Sequence, residues 1–410
     1  MKKFRMLSFL LSLLFGVSCA LGGQTTVRYW YHLDNPDNDY LKNIIGIFEE
    51  KNPDIKIQAE LIPWNNFYDN LYTSIIGGNA PDCGEVKLMA MPQLVTMEAL
   101  EPLDPYIAKW DAKDDILDDL WPKMVHADGK TYLLPLHYIA SYLYIRKDLF
   151  EKYGVKIPTN RDEFLAAAKA LTRDTDGDGR IDLYGFGYRG GKAGQEHWGI
   201  FVLPNAKEMT SAQLNDPWTV EANKFVVDMF REHKVMPPSA PNDGFIEIMG
   251  AFQNGLTAMT VNHIGTMPKV VETLGEKATA VKVPACGKNG EAWTNFGDEE
   301  NAIFSASRNK DAAWKWISFL ATGEYNKMWT DGSAQLPVTK SGSRAPVPER
   351  YKRFIDVTIE SLPFAYSLPL TPATQEFINN VWPMEMQRAM LGEIPPGDML
   401  KSFDELFNQK

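Results

Sequence analysis

The sequence predicts an α/β fold. Three observations carry that expectation: strand-like and helix-like segments alternate over residues 27–86, the same mixture returns through the middle of the chain, and no short-period repeat replaces it. Residues 27–31 (Val-Arg-Tyr-Trp-Tyr) are aromatic and β-branched and read as a strand. Residues 40–51 set Leu41, Ile44, Ile45, Ile47 and Phe48 on a helical face, and Pro53 stops the helix. Residues 55–61 alternate as a second strand. Residues 67–76 form a second helix closed by Gly77 and Gly78, and residues 82–86 a third, short strand. Such alternation builds parallel strand pairs joined by right-handed crossovers. Further along, residues 132–135, 141–145, 183–188 and 257–261 read as extended, and 161–171, 220–233, 311–320 and 375–390 as helices.

The N-terminus sets the compartment. Lys2, Lys3 and Arg5 precede an apolar run over 6–17 and then the small residues Ser18, Cys19, Ala20, Gly22 and Gly23, which is the order of a secretory signal over 1–23. The run is too short to span a bilayer comfortably. Cutting after Gly22 or Gly23 releases a soluble protein into the periplasm or another extracytoplasmic space. Cys19 offers lipid attachment instead, but Gly16 stands where a lipid-attachment motif has a large apolar residue, which favours soluble release. The remaining chain has room for two or three domains. Its 44% hydrophobic and 23% charged residues match an ordinary globular protein. A net charge of −11 argues against nucleic acid as a partner, because phosphate contacts need a basic surface. Beyond Cys19 only Cys83 and Cys286 remain, and they read as buried small apolar residues rather than a disulfide.

In open α/β sheets ligands sit beyond the carboxyl ends of the strands. That rule selects His32 and Asp34 after the first strand, Glu85 and Lys87 at the third, Arg189 after the strand ending at Tyr188, and Asn262 and His263 after the strand ending at Val261. Asp298 and Glu299 complete the carboxylate candidates. Trp30, Trp198 and Trp293 are the aromatic candidates, with Tyr138 close by, whereas Trp314 and Trp316 sit on a helix and read as packing. Aromatic faces with carboxylates and amides at their edges suit a hydroxyl-rich ring, which has C–H faces and a polar rim. Residues 174–182 (Asp-Thr-Asp-Gly-Asp-Gly-Arg-Ile-Asp) have two readings. Asp174, Asp176, Asp178, Arg180 through its carbonyl and Asp182 through water match the front half of a calcium loop, but Gly185 occupies the place of the closing glutamate. The other reading is an Asp/Gly turn without an ion. Apart from that ion no cofactor is expected.

Four stretches, in order, resemble the sugar-binding components of bacterial ABC importers, the group of maltose-binding proteins. These are Asn79-Ala80-Pro81-Asp82 with Leu100-Glu101-Pro102-Leu103; Leu134-Pro135 with Leu143-Tyr144-Ile145-Arg146-Lys147-Asp148-Leu149-Phe150; Ala251 to Asn262; and Asn309-Lys310-Asp311-Ala312-Ala313-Trp314-Lys315. The resemblance implies a two-lobed periplasmic-binding-protein fold, each lobe a mainly parallel sheet flanked by helices, with the ligand cleft between. The implied lobes are 24–130 with 298–330, and 131–297 with 331–410. It implies a monomeric binder, not an enzyme, that delivers a small carbohydrate to a membrane permease. Where the family places an acid this chain has Ile139, so His137 or Tyr138 is the expected substitute. The family's tryptophans after "PD" and after Asn262 are missing, which disfavours maltodextrin itself. The alternatives are a binder of polyamine or glycerol phosphate, the latter using Lys87 or Arg189, and a secreted glycoside hydrolase working through two acids. His32, His137 and His263 lack close metal-ligand spacing in sequence and read as hydrogen-bonding or loop residues.

Overall fold

The computed structural model describes residues 23–33 and 40–408. Apart from Gly23, the expected signal segment with Cys19 lies outside the described residues, as does Asp34. Among the described residues, no helix is long and apolar enough to cross a membrane.

Among the described residues eleven strands occur: β1 (Thr25–Tyr31), β2 (Ile55–Leu61), β3 (Cys83–Val86), β4 (Leu134–Ala140), β5 (Tyr142–Arg146), β6 (Tyr184–Gly187), β7 (Thr257–Asn262), β8 (Ala278–Val281), β9 (Thr294–Ile303), β10 (Leu336–Pro337) and β11 (Ala365–Tyr366). They form two sheets. The larger has the order β10-β4-β9-β3-β1-β2 with β11 on β9, and the smaller β6-β7-β5-β8. Helices cover both, as expected of two α/β lobes.

The sheets are mixed rather than mainly parallel. β1 pairs in parallel with β2 and β3, as the strand–helix alternation predicts. β9 then enters from far along the chain and runs antiparallel to both β3 and β4, and β5 lies antiparallel to β7 and β8. β4 and β5 are nearly one continuous strand that leaves the larger sheet and enters the smaller at Ser141. The sheets therefore put residues 134–140 and 294–297 on the larger side, where the sequence reading had them in the second lobe.

Each sheet carries its own core. Tyr29, Phe48, Phe67, Trp316 and Trp329 pack around the larger. Phe164, Phe186, Trp198, Phe201 and Trp382 pack around the smaller. A third cluster centres on Tyr142, Tyr144, Phe252 and Phe354. Cys83 and Cys286 are buried and free, one in each main core. The helix Arg161–Leu171 illustrates the local logic. The Asn160 side chain accepts the Glu163 N–H as an N-cap, and Phe164, Ala167, Ala168 and Leu171 face inward at helical spacing. Its contact with β6 is so close that a Cβ on Gly185 would stand 2.1 Å from the carbonyl oxygen of Ala168.

Gly185→Ala is therefore expected to lower the free energy of unfolding by about 1–3 kcal/mol or more, since backbone has to move. Gly46→Ala, in the helix Tyr40–Lys51 with nothing within 4 Å of the added carbon, should raise it by about 0.5–1 kcal/mol. Urea denaturation of the two variants checks both, and a Gly185→Ala protein as stable as its parent would refute this packing.

Candidate functional site

The parallel strands β1, β2 and β3 end on one edge of the larger sheet, and the turns that follow supply one wall of a cavity of about 270 Å³. His32 and Leu33 come from the turn after β1, Leu61, Pro63 and Trp64 from the end of β2 and the turn that follows, and Lys87 and Met89 from the turn after β3. Asn295, Gly297 and Asp298 of β9 and Ile139 of β4 close the back. The opposite wall comes from the smaller sheet: Arg189 and Ala193 beyond β6, His263 beyond β7, and Phe245 with Ile246 at the start of the helix Phe245–Gln253. Gln195 and Glu196 open the helix Gln195–Ala206 at the same wall.

The floor is ionic. Glu85, only 1% exposed, accepts the backbone N–H of His32 at 2.7 Å, and the same oxygen meets His32 Nδ1 at 2.8 Å. His32 Nε2 stands 3.4 Å from Glu299 Oε2, which is also 3.0 Å from Lys87 Nζ. Lys87 donates to the Asp298 carbonyl at 3.1 Å and lies 4.8 Å from the centre of the Trp64 ring. Burial pushes the Asp298 carboxyl up to about 6 and the Glu299 carboxyl up to about 7, with Lys87 pulling both back down. Burial, with Asp298 and Glu299 beside it, holds Glu300 well above the ordinary range.

The far wall mirrors the near one. Trp64 stands by His32 (4.9 Å between rings) and Lys87, and Phe245 stands by His263 (5.8 Å) and Arg189 (5.8 Å). Each side thus offers one aromatic face with an imidazole and a cation next to it. Between them the Glu196 carboxylate accepts from Ser141 Oγ at 3.1 Å and from Asn295 Nδ2 at 3.4 Å. This ties the helix start to the strands that pass between the sheets.

The family model for bacterial extracellular solute-binding proteins matches residues 34–327. The chain belongs to this family. It is 28% identical over 375 residues to a Brucella abortus protein named only as a binding protein, covering 88% of this chain and 87% of that one. It is 29% identical over 370 residues to the mannitol-binding protein of Pseudomonas aeruginosa, with 80% and 77% covered. Among solved structures it resembles an ABC transporter solute-binding protein from Thermotoga lettingae bound with α-D-tagatose. That match has a TM-score of 0.81 at 22% identity over 94% of this chain and 100% of that one. A maltose-bound protein from T. maritima gives 0.81 at 21% identity, over 93% and 99%. These two matches bear on the fold.

In this solute-binding protein the cavity gathers His32, Lys87, Arg189, His263 and Asp298 from the sequence-predicted set, with Glu85 and Glu299 directly behind them. Others stand elsewhere. Trp30 points into the core and donates its indole N–H to Glu60 at 2.8 Å. Trp198 is fully buried on a helix, bonded to Asn223 at 2.7 Å, and Trp293 is buried against the smaller sheet. All three tryptophans are packing residues: Trp30 is turned inward by its strand, Trp198 by its helix, and Trp293 just before β9 is buried. His137 lies beneath the floor, where the Trp329 indole donates to its Nδ1 at 3.1 Å and burial drives its imidazole well below its ordinary value, so it stays neutral. Tyr138 stacks on Phe296, and Asn262 turns back to accept the His263 N–H at 2.8 Å, so neither lines the cavity.

Trp64, Phe245, Gln195, Glu196 and Asn295 were missed. The strand-end rule applied to β2 would have found Trp64; the others sit at helix starts or, for Asn295, at the beginning of a strand, where that rule is silent. In the acidic loop, one carboxylate oxygen each from Asp174, Asp176 and Asp178 falls within 4.8 Å of the others. Asp174 accepts the amides of Gly177 and Gly179, Asp178 that of Arg180, and Asp182 that of Thr175, so the chain's own donors close the turn.

Trp198→Ala is expected to lower the unfolding free energy by about 3–5 kcal/mol, the range for a large buried aromatic. Trp64→Ala, at the half-buried cavity wall, should cost markedly less. Denaturant titration of both variants checks this, and a reversed order would contradict the assignment of core and wall.

Proposed function

We propose that this chain is the exported solute receptor of an ABC importer and that it takes a small carbohydrate or sugar alcohol into the cavity between its two sheets. The observation that carries the reading is the pairing of Trp64 and Phe245 on opposite walls with Asp298, Glu196, Asn295 and Lys87 around them. Apolar rings suit the C–H faces of a sugar, and fixed carboxylate, amide and ammonium groups suit its hydroxyls. At about 270 Å³ the cavity is near the small end of ligand clefts, which run to about 1,000 Å³, and this favours one or two sugar units over a long chain. The names of two relatives, a mannitol-binding protein and an arabinooligosaccharide-binding protein from Halalkalibacterium halodurans, point the same way.

The partner in this reading is a membrane permease, and export follows from the signal-like segment over 1–23. Binding occurs without turnover. Single-strand crossing points such as Ser141 let the lobes close on the solute and reopen to deliver it.

A thermal-shift screen of hexoses, pentoses, sugar alcohols and short oligosaccharides is the test, with polyamines and glycerol phosphate as comparators. One carbohydrate class should raise the melting temperature, by the equivalent of about 2.7 kcal/mol at a hundredfold excess over Kd, and be recovered intact. Steady product release would replace the reading with a hydrolase. A shift with polyamine or glycerol phosphate alone would move the ligand class.

A further inference from the structure

We propose that Gln195 is the residue by which the cavity selects its solute: its amide oxygen takes a hydrogen bond from a solute hydroxyl, and a compound with no hydroxyl at that point is rejected. The inference rests on the carbohydrate reading above and adds the group that discriminates among carbohydrates. Gln195 is 2% exposed and lines the cavity. Its Oε1 is buried, and no described residue donates to it. A buried acceptor without a donor is costly, so one that persists beside a cavity points to a donor that arrives from outside.

The other cavity groups do not supply that donor. Ala193 and Ile378 have no polar side chain, and the Ala193 amide is already directed at the Ile378 carbonyl at 3.5 Å. Glu196, next in the chain, is itself an acceptor, held by Ser141 and Asn295. His263 Nδ1 accepts the Gly265 amide at 3.1 Å, and Lys87 is turned to Glu299 and the Asp298 carbonyl. The Gln195 oxygen is left for the solute. It needs a donor, which a hydroxyl has and a fully ionised phosphate lacks.

The backbone fixes where Gln195 stands. It opens the helix Gln195–Ala206, whose N-cap Gly194 offers no side chain to the first turn. A capping side chain has no room there: a Cβ on Gly194 would stand 1.9 Å from the Arg189 carbonyl oxygen and 2.8 Å from the Trp382 ring. Close packing before the helix and the bonds of Glu196 just after its start hold Gln195 in place at the cavity wall. Its amide is therefore set before a solute arrives, and little ordering cost remains on binding. The positive end of the helix adds a favourable potential for the hydroxyl oxygen.

The test combines calorimetric titration with thermal melting of the mature protein and of Gln195→Met, an apolar change of similar volume. D-mannitol, D-tagatose, D-glucose, L-arabinose and arabinobiose are the probes, with monodeoxy analogues of those that bind. Gln195→Met should weaken the best probe about tenfold or more. Its solute-free melting temperature should equal or exceed that of the parent, because no native bond is lost. One deoxy analogue should bind the parent about tenfold more weakly than its hydroxylated form and lose nothing further in Gln195→Met. Unchanged probe affinity in Gln195→Met, or deoxy penalties that are the same in both proteins, overturns the proposal. A solute-free melting temperature lowered by more than about 3 °C gives Gln195 a structural role and overturns it too. A parent that binds none of the probes sinks the proposal together with the carbohydrate reading, and that failure is read from the parent alone.

Discussion

A carboxylate at 1% exposure must be met by positive charge or by donors, and Glu85 and Glu299 meet that demand with His32 and Lys87. These four side chains come from the ends of β1 and β3 and from the middle of β9. Glu85 at β3 grips the backbone and ring of the residue just past β1, and Glu299 in β9 grips the lysine just past β3. The loops that form the cavity wall are therefore held in place by burial of charge. Removing one partner would strand another inside the protein, which costs several kcal/mol more than the pair itself contributes. The position of Trp64 follows from the same lattice, since it rests against His32 and Lys87.

The second organising feature is the passage between the sheets. β4 continues into β5 through Ser141, whose amide donates to the Asn295 carbonyl at 3.1 Å and whose carbonyl accepts the Thr294 hydroxyl at 2.7 Å. Glu196, at the start of the helix that carries Trp198, bonds to Ser141 and Asn295 at this point. Each lobe keeps its own core, and a third apolar cluster that joins Ile139 and Leu336 of the larger sheet to Tyr142, Tyr144 and Ala280 of the smaller bridges them at this point.

Much of the fold was legible in sequence because its signals are local. The helix Tyr40–Lys51 and the helix Arg161–Leu171 appear with the bounds that their apolar spacing dictates. The pairing of β9 was not legible, because antiparallel contact between Tyr138 and Asp298 joins segments with no local trace of each other. The site divided the same way. Strand ends pointed to His32, Lys87, Arg189 and His263, since the edge of an α/β sheet is fixed by topology. The choice among tryptophans failed because inward or outward facing depends on tertiary packing. Trp30 sits in β1 and turns to the core, while Trp64, one turn past β2, turns to the cavity. Phe245 and Glu196 stand at helix starts, which only the folded arrangement brings opposite β9.

The most direct measurement is a crystal structure of the mature protein grown with the solute that stabilises it most. The account requires that solute to lie between Trp64 and Phe245, with a hydroxyl or other polar group within hydrogen-bonding distance of Asp298 or Lys87. A solute bound on the outer surface, or in a groove that neither ring touches, would contradict it.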